Sequence, residues 1–336
     1  MNKIKNIDAP KLWTSSFFIL FLFIAFFQGY DIVGVLSDFV NRVGMNGVLV
    51  LSMVPAIACG TGPNFGISIG IVCGLLGGCI SIELGLKGYS GFFFALLFGG
   101  LFSCPAGYFY GKFLNYLKGN EMTAGTYIGF SVVSFMSIAW TLLPFQSPDM
   151  IWSIGGKGLR TTISLSGYFE KILNAKVSFL GQEWAFGTLL FFAFCCGILF
   201  LFFRTKTGIA LKMAGSNTNF ALASGIDVNK QRIYGTILST ILGAVGILVY
   251  SQSYGFLQLY QAPLMMPFFA VSAILIGGAS ISKVKISHAV IGVIFMQFLM
   301  TVATPVINEF IADSTFSDAI RMVISYSVIL YALTRK

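Results

Sequence analysis

The chain has 336 residues, of which 56% are apolar, 35 are Phe and only 10% are charged. That balance suits neither one large soluble domain nor two ordinary ones. A formal charge of +9 would point to nucleic acid in a soluble protein, but here Lys and Arg sit between apolar runs long enough to cross about 30 Å of hydrocarbon. Lipid is therefore the expected solvent, no nucleic-acid partner is expected, and residues 1–336 read as a single transmembrane domain.

In chain order, Lys3, Lys5 and Lys11 precede an apolar run too long for a signal-peptide core and without an Ala-x-Ala site after it, so a retained first span is expected. Spans are expected near 14–29, 44–59, 67–86, 90–112, 123–144, 184–203, 232–252, 263–280, 287–307 and 318–334. The fold class is all-α, a polytopic membrane bundle of about ten transmembrane helices. With a cytoplasmic start, inside segments carry 14 of the 21 basic residues, so the positive-inside rule puts both termini in the cytoplasm. Cys59, Cys73, Cys79, Cys104, Cys195 and Cys196 lie in or at the ends of apolar runs without CxxC spacing, and read as small core residues. Small residues at Gly74, Gly77, Gly78, Gly99, Gly100 and Gly107 read as close helix packing.

Two segments are too polar to span and too long to be turns. Residues 145–181 form an external loop, where Pro148, Trp152, Gly155 and Gly156 suggest an ordered cap. Residues 204–232 face the cytoplasm. Within them Ser216 or Asn217 is a good N-cap, Thr218 to Ser224 can make two helical turns, and Gly225 suits a left-handed stop. Phe220 and Leu222 on this short helix have no lipid to enter, so a protein partner is expected to take them.

The helix break between spans two and three is the other notable stretch. Pro55, Gly60, Gly62, Pro63 and Gly66 interrupt the helix at membrane depth, where irregular backbone must be buried in protein or line a water-filled cavity. Two readings stay open: Pro63, Asn64, Phe65 and Ser68 line a solute path, or they form a tight loop packed on the bundle. Met265, Met266, Phe268 and Phe269 open span eight and make either an apolar wall of that path, with Met265 and Phe269 on it, or ordinary packing.

Thr205-Lys206-Thr207-Gly208, Ala214-Gly215-Ser216-Asn217 and Ala223-Ser224-Gly225-Ile226-Asp227-Val228-Asn229-Lys230 together resemble permease subunits of bacterial ABC importers in the ribose, branched-chain amino-acid and nucleoside group, the ribose type most of all. Ala273-Ile274-Leu275-Ile276-Gly277-Gly278-Ala279-Ser280 and Ala289-Val290-Ile291-Gly292-Val293 extend the resemblance. It implies a ten-span permease of the bacterial inner membrane that works with ABC ATPase subunits, a second permease and an extracellular or periplasmic solute-binding protein. Residues 216–225 would then be the coupling helix, with Ser216, Asn217, Phe220, Leu222 and Gly225 as its contact and shaping residues. The implied solute is a monosaccharide or related polyol, with a nucleoside as runner-up. Gly66 stands where the ribose group keeps an Asp, a departure that bears on the solute and on whether the second permease is a copy of this chain.

No GxxxxGK[ST] loop occurs, so ATP and its Mg would be bound by the partner ATPase, and this chain would carry no cofactor and no enzymatic activity. His288 and the scattered cysteines supply no metal ligand set. The competing class is a stand-alone secondary transporter, but no acid stands near the centre of an expected span, where an ion-coupled pump keeps one.

Overall fold

In the computed structural model, which describes residues 32–152, 158–174, 176–179, 182–310 and 323, the chain opens on helix α1 (Ile32–Leu51), followed after Ser52 by α2 (Met53–Ala58). The first expected span, the tenth apart from Val323, and Gly155 and Gly156 lie outside the described residues. Helix α1 starts twelve residues before the expected 44 because the Ile32–Val43 stretch is amphipathic, and Asp38, Asn41 and Arg42 depress its apolarity without stopping the helix.

A 3-10 turn (Phe65–Ile67) leads into α3 (Ser68–Glu83), then α4 (Gly88–Tyr116) and α5 (Glu121–Leu142). After the loop that follows α5, α6 (Phe186–Phe202) and α7 (Lys206–Ser216) meet at a bend of 83°. Short α8 (Thr218–Ala223) precedes long α9 (Val228–Tyr254), α10 (Gln261–Ile276) and α11 (Ile286–Phe310). All eight apolar runs that fall in the described residues are thus helical. By length and apolarity five of these helices can cross a membrane, or six if the bent pair counts as one span.

The core is α3 held between α4 and α9, and glycine sets the spacing. A Cβ at Gly74 would meet the Ala244 carbonyl of α9 at 2.5 Å, and one at Gly77 would meet the Ala95 carbonyl of α4 at 2.6 Å. In lipid, where no hydrophobic drive pushes helices together, such contact is what holds them. The expected packing role fits Gly74, Gly77, Gly78, Gly99 and Gly107, but not Gly100, which has open space in front of it. Outward faces are apolar: Leu190, Phe194, Ile198 and Leu201 make one exposed stripe along α6. Cys59, Cys79 and Cys195 are buried and Cys73 and Cys196 half-buried, whereas Cys104 is exposed on the outer face of α4.

The cap is ordered where it is described. Strand β1 (Thr162–Ser164) pairs antiparallel with β4 (Phe256–Gln258), and Ile163 and Leu257 face each other fully buried. Strands β2 (Lys176–Phe179) and β3 (Gln182–Ala185) form a hairpin that occupies the start of the expected sixth span. The Glu83 carboxylate, at the end of α3, accepts from the backbone N–H of Gln146 (3.0 Å) and Ser147 (3.1 Å). Trp152 is half-exposed, while Met150, Leu159 and Phe169 carry the cap's apolar contacts to the bundle.

Loops that the sequence assigns to one side gather at one end. Residues 145–152 and 158–174 meet the ends of α3 and α9. At the other end Gly60 touches Gly215, and the Asn115 carboxamide donates to the Asn229 carbonyl (2.9 Å).

Candidate functional site

The helix break is built from two left-handed glycines, Gly60 (φ +85°) and Gly62 (φ +77°), conformations that a Cβ would strain. They turn the chain so that Asn64 points inward. Its Nδ2 donates to Ser239 Oγ on α9 (2.8 Å) and its Oδ1 accepts from the Tyr110 hydroxyl on α4 (3.0 Å). Ser68 Oγ donates to the Pro263 carbonyl at the start of α10 (2.8 Å). Pro63, Asn64 and Ser68 are all buried. The polar side chains of Asn64 and Ser68 thus tie the broken backbone to the bundle.

Gly66 explains its own departure from the resemblance. A Cβ there would lie 2.6 Å from Tyr110 Cζ, so the Tyr110 ring occupies the place an Asp side chain would need. Phe65 is different. It is half-buried, its ring stacks obliquely near Phe268 (6.1 Å between centroids), and Phe268 lies in turn near Phe130 (6.1 Å). Met265, Phe268 and Phe269 fall at i, i+3 and i+4 on α10, so Phe65, Met265 and Phe269 share a half-exposed apolar face, with Met265 40% exposed.

At the end where Gly60 meets Gly215, Thr205 caps α7 by accepting from the Gly208 N–H (3.2 Å). Asn217 then ends α7 and caps α8, its Oδ1 accepting from the Phe220 N–H (3.0 Å). The cap is Asn217 and not Ser216, whose hydroxyl turns back toward the Met213 carbonyl. Ala221 is fully buried against Ala214 and Val228, which leaves Phe220 and Leu222 pointing away, 56% and 58% exposed. Gly225 stops the helix at φ +76°. Asp227 caps α9 by accepting from the Lys230 N–H (3.1 Å). That hydrogen bond, with the Lys230 ammonium adding to it, holds the Asp227 carboxyl below its ordinary value.

The family model described as branched-chain amino acid transport system / permease component matches residues 35–333. The chain belongs to this family. It is a multi-pass transmembrane permease of the ABC transporter class. No curated protein and no solved structure matches it. In the C-terminal half of the permease, the motifs that carried the resemblance have visible jobs. Gly277 and Gly292 let α10 and α11 cross backbone to backbone, since a Cβ at Gly277 would stand 2.8 Å from the Gly292 nitrogen.

Sequence reasoning passed over four residues that organise this region: Tyr110 and Ser239, which hold Asn64, and Glu121 and Arg232, which pair at the end where Gly60 meets Gly215. Tyr110 and Ser239 sit inside apolar runs and read as filler. The charged residues read as loop charges. Only the i+4 spacing of Glu121, Gly125 and Gly129 along one face of α5 signals a contact surface.

Proposed function

We propose that this permease forms half of the translocation path of an ATP-driven importer for a small polar solute. In this reading it has ten spans, lies in the cytoplasmic membrane of a bacterium with both termini inside, and pairs with a second permease, two ATPase subunits and a solute-binding protein. ATP is hydrolysed on the partner, not on this chain. The observation that carries the reading is α8, a helix of six residues with a side-chain cap at Asn217, a left-handed stop at Gly225, and two large apolar side chains held out of the bundle. An exposed Phe and Leu on a shaped cytoplasmic helix suit the groove of a protein partner.

The half-exposed face of Phe65, Met265 and Phe269 is the surface we assign to the second permease and the solute path. For the solute, the motif resemblance favours a monosaccharide or polyol, with a nucleoside next. The family's description speaks of branched-chain amino acids and adds that class as a further reading. Screening the partner binding protein against all four classes decides among them.

The docking claim is tested with Phe220→Asp and Leu222→Asp. Fully burying each side chain is worth about 1.5–3 kcal/mol, so each charge should weaken ATPase association at least about tenfold. Copurification of the ATPase and ATP-dependent uptake by membrane vesicles should both fall, while the melting temperature of the permease holds. Uptake that persists without nucleotide would move the protein to the stand-alone secondary transporters.

A further inference from the structure

Buried charge is scarce among the residues whose side chains are described: Arg232 is the one buried Lys, Arg, Asp or Glu there, and it pairs with the carboxylate of Glu121, the two side chains being 9% and 16% exposed. The guanidinium Nε nevertheless has no partner. A buried ion pair adds little net stability once both charges are desolvated, and an incompletely bonded one adds less. Its value lies in what it connects.

On one side is the coupling segment. Arg232 stands in the second turn of α9, and Val228 at the start of that helix packs directly on Ala221 of α8. Displacement of α8 therefore moves the start of α9. On the other side is the helix break. Glu121 is the first residue of α5, and Gly125 and Gly129 continue its face at i+4 and i+8. A Cβ at Gly125 would lie 3.3 Å from the Gly66 nitrogen, and one at Gly129 would lie 3.2 Å from the Phe65 carbonyl. Glu121 also walls a cavity of about 270 Å³ together with Thr61 and the backbone of Gly60, Gly62 and Gly215.

We propose that Glu121–Arg232 is a latch that transmits movement of the coupling segment to the helix break. It is closed in this structure and parts when the ATPase draws α8 away, which lets α5 swing from Gly66 and widens the cavity beside Thr61. Glu121 and Arg232 are positioning residues. The inference rests on the docking reading of α8 given above.

The test uses the assembled transporter in inside-out vesicles, with Thr61→Cys labelled by a membrane-impermeant maleimide before and after trapping with ATP and vanadate. Tandem mass spectrometry separates label at position 61 from label at Cys59. With the latch intact, trapping should change the labelling rate about tenfold, a shift of the order expected when a two-state gate changes occupancy. In Glu121→Gln the rate should be the same with and without trapping, while ATP hydrolysis continues. The exchange Glu121→Arg with Arg232→Glu should restore most of the response.

If Glu121→Gln does not assemble, Arg232→Lys, which keeps the charge and loses the guanidinium fork, takes its place with the same expectation. An ATP response that survives these substitutions overturns the latch and leaves the docking reading standing. A charge exchange that assembles at the parent's melting temperature but restores nothing also overturns it. A parent that shows no ATP response overturns the docking reading and the latch with it.

Discussion

The helix break at residues 60–68 and the segment at residues 205–228, to which we assign coupling, are both irregular, glycine-stopped stretches, yet they use their side chains in opposite senses. In the break, the polar groups of Asn64 and Ser68 turn inward and are spent on the bundle. In the coupling segment the polar groups of Thr205, Asn217 and Asp227 are spent on local caps, and apolar side chains turn outward. Irregular backbone within a membrane must be satisfied by neighbouring helices, whereas backbone in water can be satisfied by its own local caps. In the docking reading proposed above, the first region is an anchor and the second an adaptor.

The contrast is broken most severely at Gly66. Gly66→Asp forces a carboxylate into the space of the Tyr110 ring and buries it without a cation. We expect a cost of several kcal/mol, enough that little folded permease is recovered. Adding Tyr110→Ala should return part of the yield, seen by size-exclusion chromatography in detergent. Full stability of Gly66→Asp alone would mean that the break opens to water.

Next comes Asn64→Ala, which strands the Tyr110 hydroxyl and Ser239 Oγ. A loss of about 1–3 kcal/mol is expected, visible as a lower melting temperature, with weaker uptake following from it. Unchanged stability with altered uptake would return Asn64 to the solute path. In the coupling segment Asn217→Ala should leave melting untouched. Loss of an N-cap costs about 1 kcal/mol, here charged to α8 alone, so ATPase affinity should drop about fivefold in a binding titration.

How much of this was legible in the sequence divides along the same line. Apolar runs located the long described helices, and caps and stops such as Asn217 and Gly225 located α8, because both signals are local in the chain. The orientation of Asn64 was not legible. At a break the helical period is lost, and Asn64 is placed by Tyr110 and Ser239, 46 and 175 positions away in sequence. The early start of α1 was hidden by Asp38, Asn41 and Arg42, which lower apolarity without lowering helicity. The Glu121–Arg232 pair spans 111 positions and left only the glycine spacing on α5 as a trace.

The smallest expected effect is at Asp227, and its sign follows from the cap. The folded-state pKa of this carboxyl is lowered, first by the Lys230 N–H and then by the Lys230 charge. Its contribution to the start of α9 is therefore complete above the unfolded carboxylate value, near 4, and is lost as pH falls through the lower folded value. Hydrogen exchange at the amides of residues 229–231 should quicken across that window beyond the intrinsic pH trend. In Asp227→Asn the amide still accepts the hydrogen bond but does not titrate, so the extra step should vanish while the helix start stays protected at neutral pH. Because Asp227 is exposed, salt should weaken the Lys230 ion pair more than the backbone cap. A step that persists in high salt would then assign the capping to the backbone hydrogen bond, the same self-sufficiency in water that separates the adaptor from the anchor.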